Sequence, residues 1–151
     1  ACAQRMEQLR QEPAAEHDLV MDWSWVGEES DEEAKLRAEA RKILELPELD
    51  IAATCVRVPV LVGHSEAVWV ELQEPLTAGQ AAGLLRAAPS VHVLELPEFP
   101  TPRAATGIDD VLVGRIRQDG PSGIALFLAS DNLRKGAALN AIQIAELLLA
   151  A

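Results

Sequence analysis

A short apolar run, Arg57-Val-Pro-Val-Leu-Val-Gly-His64, ends in a guanidinium on one side and an imidazole on the other. A guanidinium offers a planar fork of donors suited to a carboxylate, and an imidazole titrates near neutrality, where it can give and take a proton. The ordinary alternative is a strand with two solvated polar ends, Arg57 capping one and His64 the other. Glu32 and Lys35 form a second candidate pair. Three apart on one helical face, they make either a solvated ion pair or, with a helix N-terminus beside the lysine, a place for a phosphate. Arg57 and His64 stand seven apart, an odd offset that turns them to opposite faces of a regular strand. For both to serve a common site the alternation must be reset, and Pro59 or Gly63 is the place for it.

The elements that must position these groups follow from periodicity and punctuation. Residues 3–12 read as a short amphipathic helix that Pro13 ends, and 18–26 as a strand with Leu19, Met21, Trp23 and Trp25 on one side. Gly27 to Asp31 reads as a loop. Ser30-Asp-Glu-Glu33 is a capping box that opens a helix over 31–45, with acids in its first turn and Arg41 and Lys42 near its last. Extended chain is expected over 51–58, 60–62 and 67–72, with a turn or bulge at 63–66. A helix over 77–88 and a strand over 91–96 follow, and the proline-rich 97–102 predicts a rigid connection over the surface. Strands 111–117 and 124–129 should pair as a hairpin across Asp119-Gly-Pro-Ser-Gly123. A last helix from Asp131 to about Leu149 is apolar nearly all round in its second half, so more than one side should be covered. Together these predict an α+β fold with a mixed, largely antiparallel sheet.

Composition narrows the function classes. A length of 151 residues suits a single domain with a real core, and no apolar run is long enough to span a membrane. The net charge of −11 disfavours nucleic acid as a partner. Cys2 and Cys55 make no disulfide framework, which favours a reducing compartment, and His17, His64 and His92 have no ligand at metal spacing, so no metal site is expected. No basic n-region and apolar h-region open the chain. It begins at Ala1 without a methionine, as a piece of something longer or a processed product would.

Five motifs carry a resemblance to a known family. They are Asp31-Glu-Glu-Ala-Lys35, Ala-Arg-Lys-Ile-Leu at 40–44, Cys-Val-Arg-Val-Pro-Val-Leu-Val-Gly-His-Ser-Glu-Ala-Val at 55–68, Asp110-Val-Leu-Val-Gly-Arg-Ile-Arg117, and Asp131-Asn-Leu-Arg-Lys-Gly-Ala-Ala-Leu-Asn-Ala-Ile-Gln-Ile-Ala-Glu-Leu-Leu148. In order from about Asp31 to the end, they closely resemble the C-terminal, catalytic and dimerisation domain of bacterial aspartate-semialdehyde dehydrogenases. That family reduces 4-aspartyl phosphate to aspartate semialdehyde with NADPH through a thioacyl-enzyme. The resemblance implies that His64 is the acid/base serving the thiol, Arg57 clamps the substrate carboxylate, Glu32 contacts the substrate amino group and Lys35 binds phosphate. It also implies that Asn132, at the start of the last helix, touches the NADP cofactor. A homodimer through a broad mixed sheet, a cytoplasmic location, a place in lysine, threonine and methionine biosynthesis, and a last helix (131–151) packed on a nucleotide-binding domain are implied with it.

Departures from the family pattern qualify what the chain does alone. No glycine-rich dinucleotide fingerprint, and hence no Rossmann domain, occurs in it. The family's nucleophile lies in an Asn-Cys motif, whereas Cys55 sits inside the Cys-Val-Arg motif and Cys2 in a segment only faintly similar. Residues 20–30 are too short for the family's preceding strand, so 1–30 read as a shortened or divergent leading segment. Two expectations follow. One is a piece of an aspartate-semialdehyde dehydrogenase, inactive as these residues alone; the other is a non-catalytic dimerisation or assembly module derived from that family.

Overall fold

The structure, a computed structural model, describes residues 25–150. The helix expected over 3–12 and all but the last two residues of the strand expected over 18–26 lie outside the described residues. The chain divides into two compact units, 1–59 and 60–151, each described by itself.

In the first unit, β1 (Trp25–Val26) and β2 (Glu29–Ser30) pair antiparallel, Trp25 opposite Ser30 and Val26 opposite Glu29. The loop expected from Gly27 to Asp31 is thus a two-residue hairpin turn. Gly27 takes φ of 70°, which glycine adopts without steric cost. Ser30 then caps α1 (Asp31–Ile43): its Oγ accepts the Glu33 N–H at 3.3 Å and Glu33 Oε2 accepts the Ser30 N–H at 2.8 Å. The helix ends at Ile43, two residues earlier than the sequence suggests, because Glu45 turns left-handed with φ of 55°.

Residues 51–62, expected as strand, form none. Side chains of α1 hold this backbone instead. Arg41 Nε donates to the Leu49 carbonyl at 2.8 Å, Arg37 Nε to the Ile51 carbonyl at 3.2 Å, and Glu33 Oε1 accepts the Cys55 N–H at 2.8 Å. Residues 33, 37 and 41 are four apart and so share one helical face, and the segment runs back along that face as a strap.

The second unit is a four-stranded sheet in the order β3 (His64–Glu71), β6 (Gly123–Ser130), β5 (Val111–Asp119), β4 (Val91–Val93). Neighbours β3/β6 and β6/β5 run antiparallel and β5/β4 parallel, the mixed sheet the sequence predicts. Between Gly114 and Arg117 the β5/β6 register shifts, and Arg115 has φ of 56°, a bulge in the ladder. Helix α2 (Ala78–Ala87) has a Thr77/Gln80 capping box and packs on β4 and β5. Short α3 (Pro102–Ala105) lies on β6, and its Ala105 joins Leu112 and Ala129 in the core beside Leu94. The proline-rich connection does not simply run over the surface. Pro100 is fully buried against Gly114, where a Cβ would lie 2.7 Å from the Pro100 ring.

The last helix, α4 (Ala138–Ala150), starts seven residues later than the sequence suggests. Residues 132–137 form turns, because the Asp131 carbonyl takes the Arg134 and Lys135 N–H groups and its carboxylate takes that of Leu133. Asn132 therefore lies in a turn and not at the helix start. Ile142, Ile144, Leu147, Leu148 and Leu149 of α4 are each more than half exposed, so the described residues do not supply the cover the apolar pattern calls for. Among the described residues no helix is long and apolar enough to cross a membrane.

Candidate functional site

The candidate residues fall in both units, and each half has its own construction. In the first, Glu32 and Lys35 project from the first turns of α1, exposed, with Lys35 Nζ 3.8 Å from Glu32 Oε1. At that distance and exposure the pair contributes only a few tenths of a kcal/mol, about 0.2–0.5, so either partner is easily drawn to a ligand. The helix N-terminus itself is not open to an anion. Its amides are met from within: Glu32 N–H by Asp31 Oδ1, Glu33 N–H by Ser30 Oγ, and Ser30 N–H by Glu33. Three carboxylates in the first turn add repulsion, so the helix end itself is poorly suited to a phosphate.

Arg57 is exposed and lies two residues past Cys55, where the strap reaches the first turn of α1. Glu33 thus ties the backbone two residues before Arg57 to the first turn of α1. Its two N–H donors, Cys55 and Ser30, hold the carboxylate ionised and its pKa below the usual range, with Arg37 adding to the effect. Sequence reasoning found Glu33 as a capping residue and missed this second role. The available signal was stoichiometric: a capping box uses one carboxylate oxygen and leaves the other for a partner.

In the second half, His64 is the exposed first residue of β3, opposite Ser130. The backbone bends at Leu61 and Val62 and Gly63 has φ of 96°; since residues 51–62 form no strand, Arg57 and His64 do not share one and the expected reset of a strand alternation does not arise. Gly63 is buried between two neighbours. Its N–H donates to Asn132 Oδ1 at 2.9 Å, and a Cβ on it would meet Pro102 at 3.1 Å. Asn132, expected at the cofactor, is thus joined through its carboxamide oxygen to the residue preceding His64. This contact spans 69 residues of sequence and has no local signal.

The first unit carries the carboxylate of Glu32 and the cations of Lys35 and Arg57, and the second carries the imidazole of His64 and the carboxamide of Asn132. Among the described residues no group of three His, Cys, Asp or Glu is placed to hold a metal ion. Cys55, half-buried, has its own N–H engaged by Glu33 and stands in the strap and not at the end of a catalytic element.

A family profile described as "Semialdehyde dehydrogenase, dimerisation domain" matches residues 25–135. The aspartate-semialdehyde dehydrogenase of Mycolicibacterium smegmatis is 56% identical over 126 residues, 81% of this chain but only 36% of that protein. Among solved structures, aspartate semialdehyde dehydrogenase II from Vibrio cholerae superposes with a TM-score of 0.81 at 38% identity, over 98% of this chain and 48% of its own. The Candida albicans aspartate semialdehyde dehydrogenase, solved with NADP, superposes with a TM-score of 0.67 at 31% identity, over 82% and 43% of the two chains. The chain spans little more than a third of the length of the curated relatives it matches. By sequence and by fold, the chain belongs to the semialdehyde dehydrogenase family and corresponds to the C-terminal dimerisation domain of the aspartate-semialdehyde dehydrogenases.

Proposed function

We propose that this chain is the substrate-handling and dimerising part of a cytoplasmic aspartate-semialdehyde dehydrogenase that acts on 4-aspartyl phosphate, with a place in lysine, threonine and methionine biosynthesis. The observation that supports the proposal is the strap, whose Cys55 N–H, two residues before Arg57, is held by Glu33 in the turn of α1 that bears Glu32 and Lys35. Arg57 takes the substrate carboxylate as a planar fork, Glu32 the amino group and Lys35 the phosphate, and His64 moves the proton of the attacking thiol. NADP is the hydride donor of such a reaction. The described residues offer it the Asn132 carboxamide and no glycine-rich phosphate cradle. They do not amount to a dinucleotide site.

The reading is tested in the polypeptide that joins this chain to the remaining length its relatives carry. Replacing His64 by Gln lowers kcat with KM little changed, and replacing Arg57 by Leu raises KM for the acyl phosphate. Equal, small effects from both would sink the assignment. A homodimer fits the family's dimerisation domain, and we place its interface on the sheet face opposite to that of His64. There Trp69, 56% exposed, lines a shallow depression with Ala67, Arg117, Asp119 and Ala125.

A second reading, a non-catalytic assembly module, is favoured by the apolar surface left open on α4. The two part on one measurement. Neither expects the 151 residues alone to turn over semialdehyde, phosphate and NADP, but only the enzyme reading expects activity once the remaining length is joined.

A further inference from the structure

Asp131 is a carboxylate only 4% exposed, at the point where β6 leaves the sheet. Burying a carboxylate is costly unless donors meet its oxygens. Both oxygens are met: Oδ2 accepts the Gly107 N–H at 2.8 Å and Oδ1 the Leu133 N–H at 2.9 Å. These contacts hold the side chain ionised, its pKa lowered first by the Gly107 N–H and then by those of Leu133 and Arg134.

The two amides lie on the segments that carry the two neighbours of Gly63, Pro102 and Asn132. Gly107 follows α3, whose Pro102 backs the Gly63 α-carbon. Leu133 follows Asn132, whose Oδ1 takes the Gly63 N–H. One carboxylate thus fastens together both jaws of a clamp, and the residue gripped is the one before His64. Removing that fastening leaves α3 anchored by Ala105 against Ala129 of β6 and the 131–137 turn held by the Asp131 carbonyl, but the side-chain link between the jaws is gone.

We propose that Asp131 is a positioning residue for His64: by joining the Pro102 and Asn132 jaws it fixes the direction in which β3 leaves Gly63, and with it the imidazole. The assignment rests on His64 being the proton-transfer group. Asp131 touches no substrate and acts only through Gly63.

The test substitutes Asp131 by Asn, which keeps the shape but turns one acceptor oxygen into a donor facing an N–H. In the 151-residue chain, amide hydrogen exchange at Gly63 should quicken about tenfold while the β5–β6 ladder keeps its protection, the loss of one charge-assisted hydrogen bond. In the polypeptide extended to the length of its relatives, kcat should fall about tenfold with KM within about twofold. Exchange that quickens equally at Gly63 and in the ladder marks Asp131 as a general stabiliser and overturns the proposal, as does an unchanged Gly63. If Asp131→Asn does not fold, Asp131→Ser keeps an acceptor for Leu133 while releasing Gly107, and the same two readouts apply. His64→Gln is measured alongside. An unaltered kcat there overturns the assignment of His64 itself, and that failure is recognised because Gly63 exchange still responds to the Asp131 substitution.

Discussion

Replacing Gly63 by Ala gives the sharpest test of the geometry around the candidate ring, because two independent costs meet at one atom. The first is conformational: φ of 96° lies where L-residues are disfavoured, and a Cβ there costs about 1–2 kcal/mol. The second is steric. The new Cβ would sit 3.1 Å from Pro102 Cβ and 3.2 Å from both Pro102 Cα and its carbonyl oxygen. Two of those three atoms are backbone of α3, which the buried Ala105 anchors, so the neighbour cannot swing away as a flexible side chain would. Overpacking of this kind costs about 1–3 kcal/mol. The sum is about 2–5 kcal/mol, a large share of the roughly 5–15 kcal/mol that holds a domain together. Urea denaturation should show a midpoint lowered by about 1–2 M at unchanged m. Gly83→Ala in α2 is the control. It has open space around it and an ordinary helical backbone, so it should stabilise by about 0.5–1 kcal/mol. A loss at Gly63 under about 0.5 kcal/mol would refute the reasoning, because it would mean that the turn before His64 relaxes freely.

Other outcomes follow from separate features. Glu33 and Asp131 both have folded-state pKa values below their unfolded ones, so the stability they confer is present above the ordinary carboxylate range, near pH 4, and is lost as pH falls through the depressed values. Denaturation midpoints should drop below that range, and the drop should shrink in Glu33→Gln; an acid profile identical in that variant would show that Glu33 is not a linked group. Trp69→Glu puts a charge at the centre of the proposed dimer face and should shift sedimentation toward monomer, whereas an unchanged dimer would place the interface elsewhere. Truncating α4 after Glu146 removes Leu147, Leu148 and Leu149 and should lessen nonspecific association of the 151-residue chain. Unchanged light scattering would show that those side chains are covered in solution.

What could be read from the chain divides by the range of the interactions involved. Helix α1 announces itself because a capping box is a local device, four residues from Ser30 to Glu33, and the structure closes it. The β5–β6 hairpin is equally legible from its turn chemistry. The strap was misread because 51–62 carries β-branched residues that suggest a ladder. Its backbone partners are Glu33, Arg37 and Arg41, between 8 and 22 residues away, and side chains that serve backbone leave no periodic mark. The start of α4 was misplaced for a related reason. Asp131 looks like a helix cap, yet it gathers Leu133, Arg134 and Lys135 into a closed turn and spends its other oxygen on Gly107. Of the candidate site, residue types could be argued from chemistry and roles from family resemblance. The devices that hold the backbone before Arg57 and before His64, Glu33 and the Asn132–Gly63 hydrogen bond, depend on which distant segment arrives beside them.

The strap also sets how the first unit can tolerate changes in length. Because Glu33, Arg37 and Arg41 grip the returning segment from Leu49 onward, residues inserted between Leu44 and Glu48 lie outside the grip and can bulge into solvent without moving Arg57. A single residue inserted between Glu33 and Arg41 is different. It rotates one part of the gripping row by about 100° relative to the other and splits it across two faces of the helix. Length variation in this part of the family should therefore collect in the turn after α1, while the spacing of the three gripping side chains stays fixed.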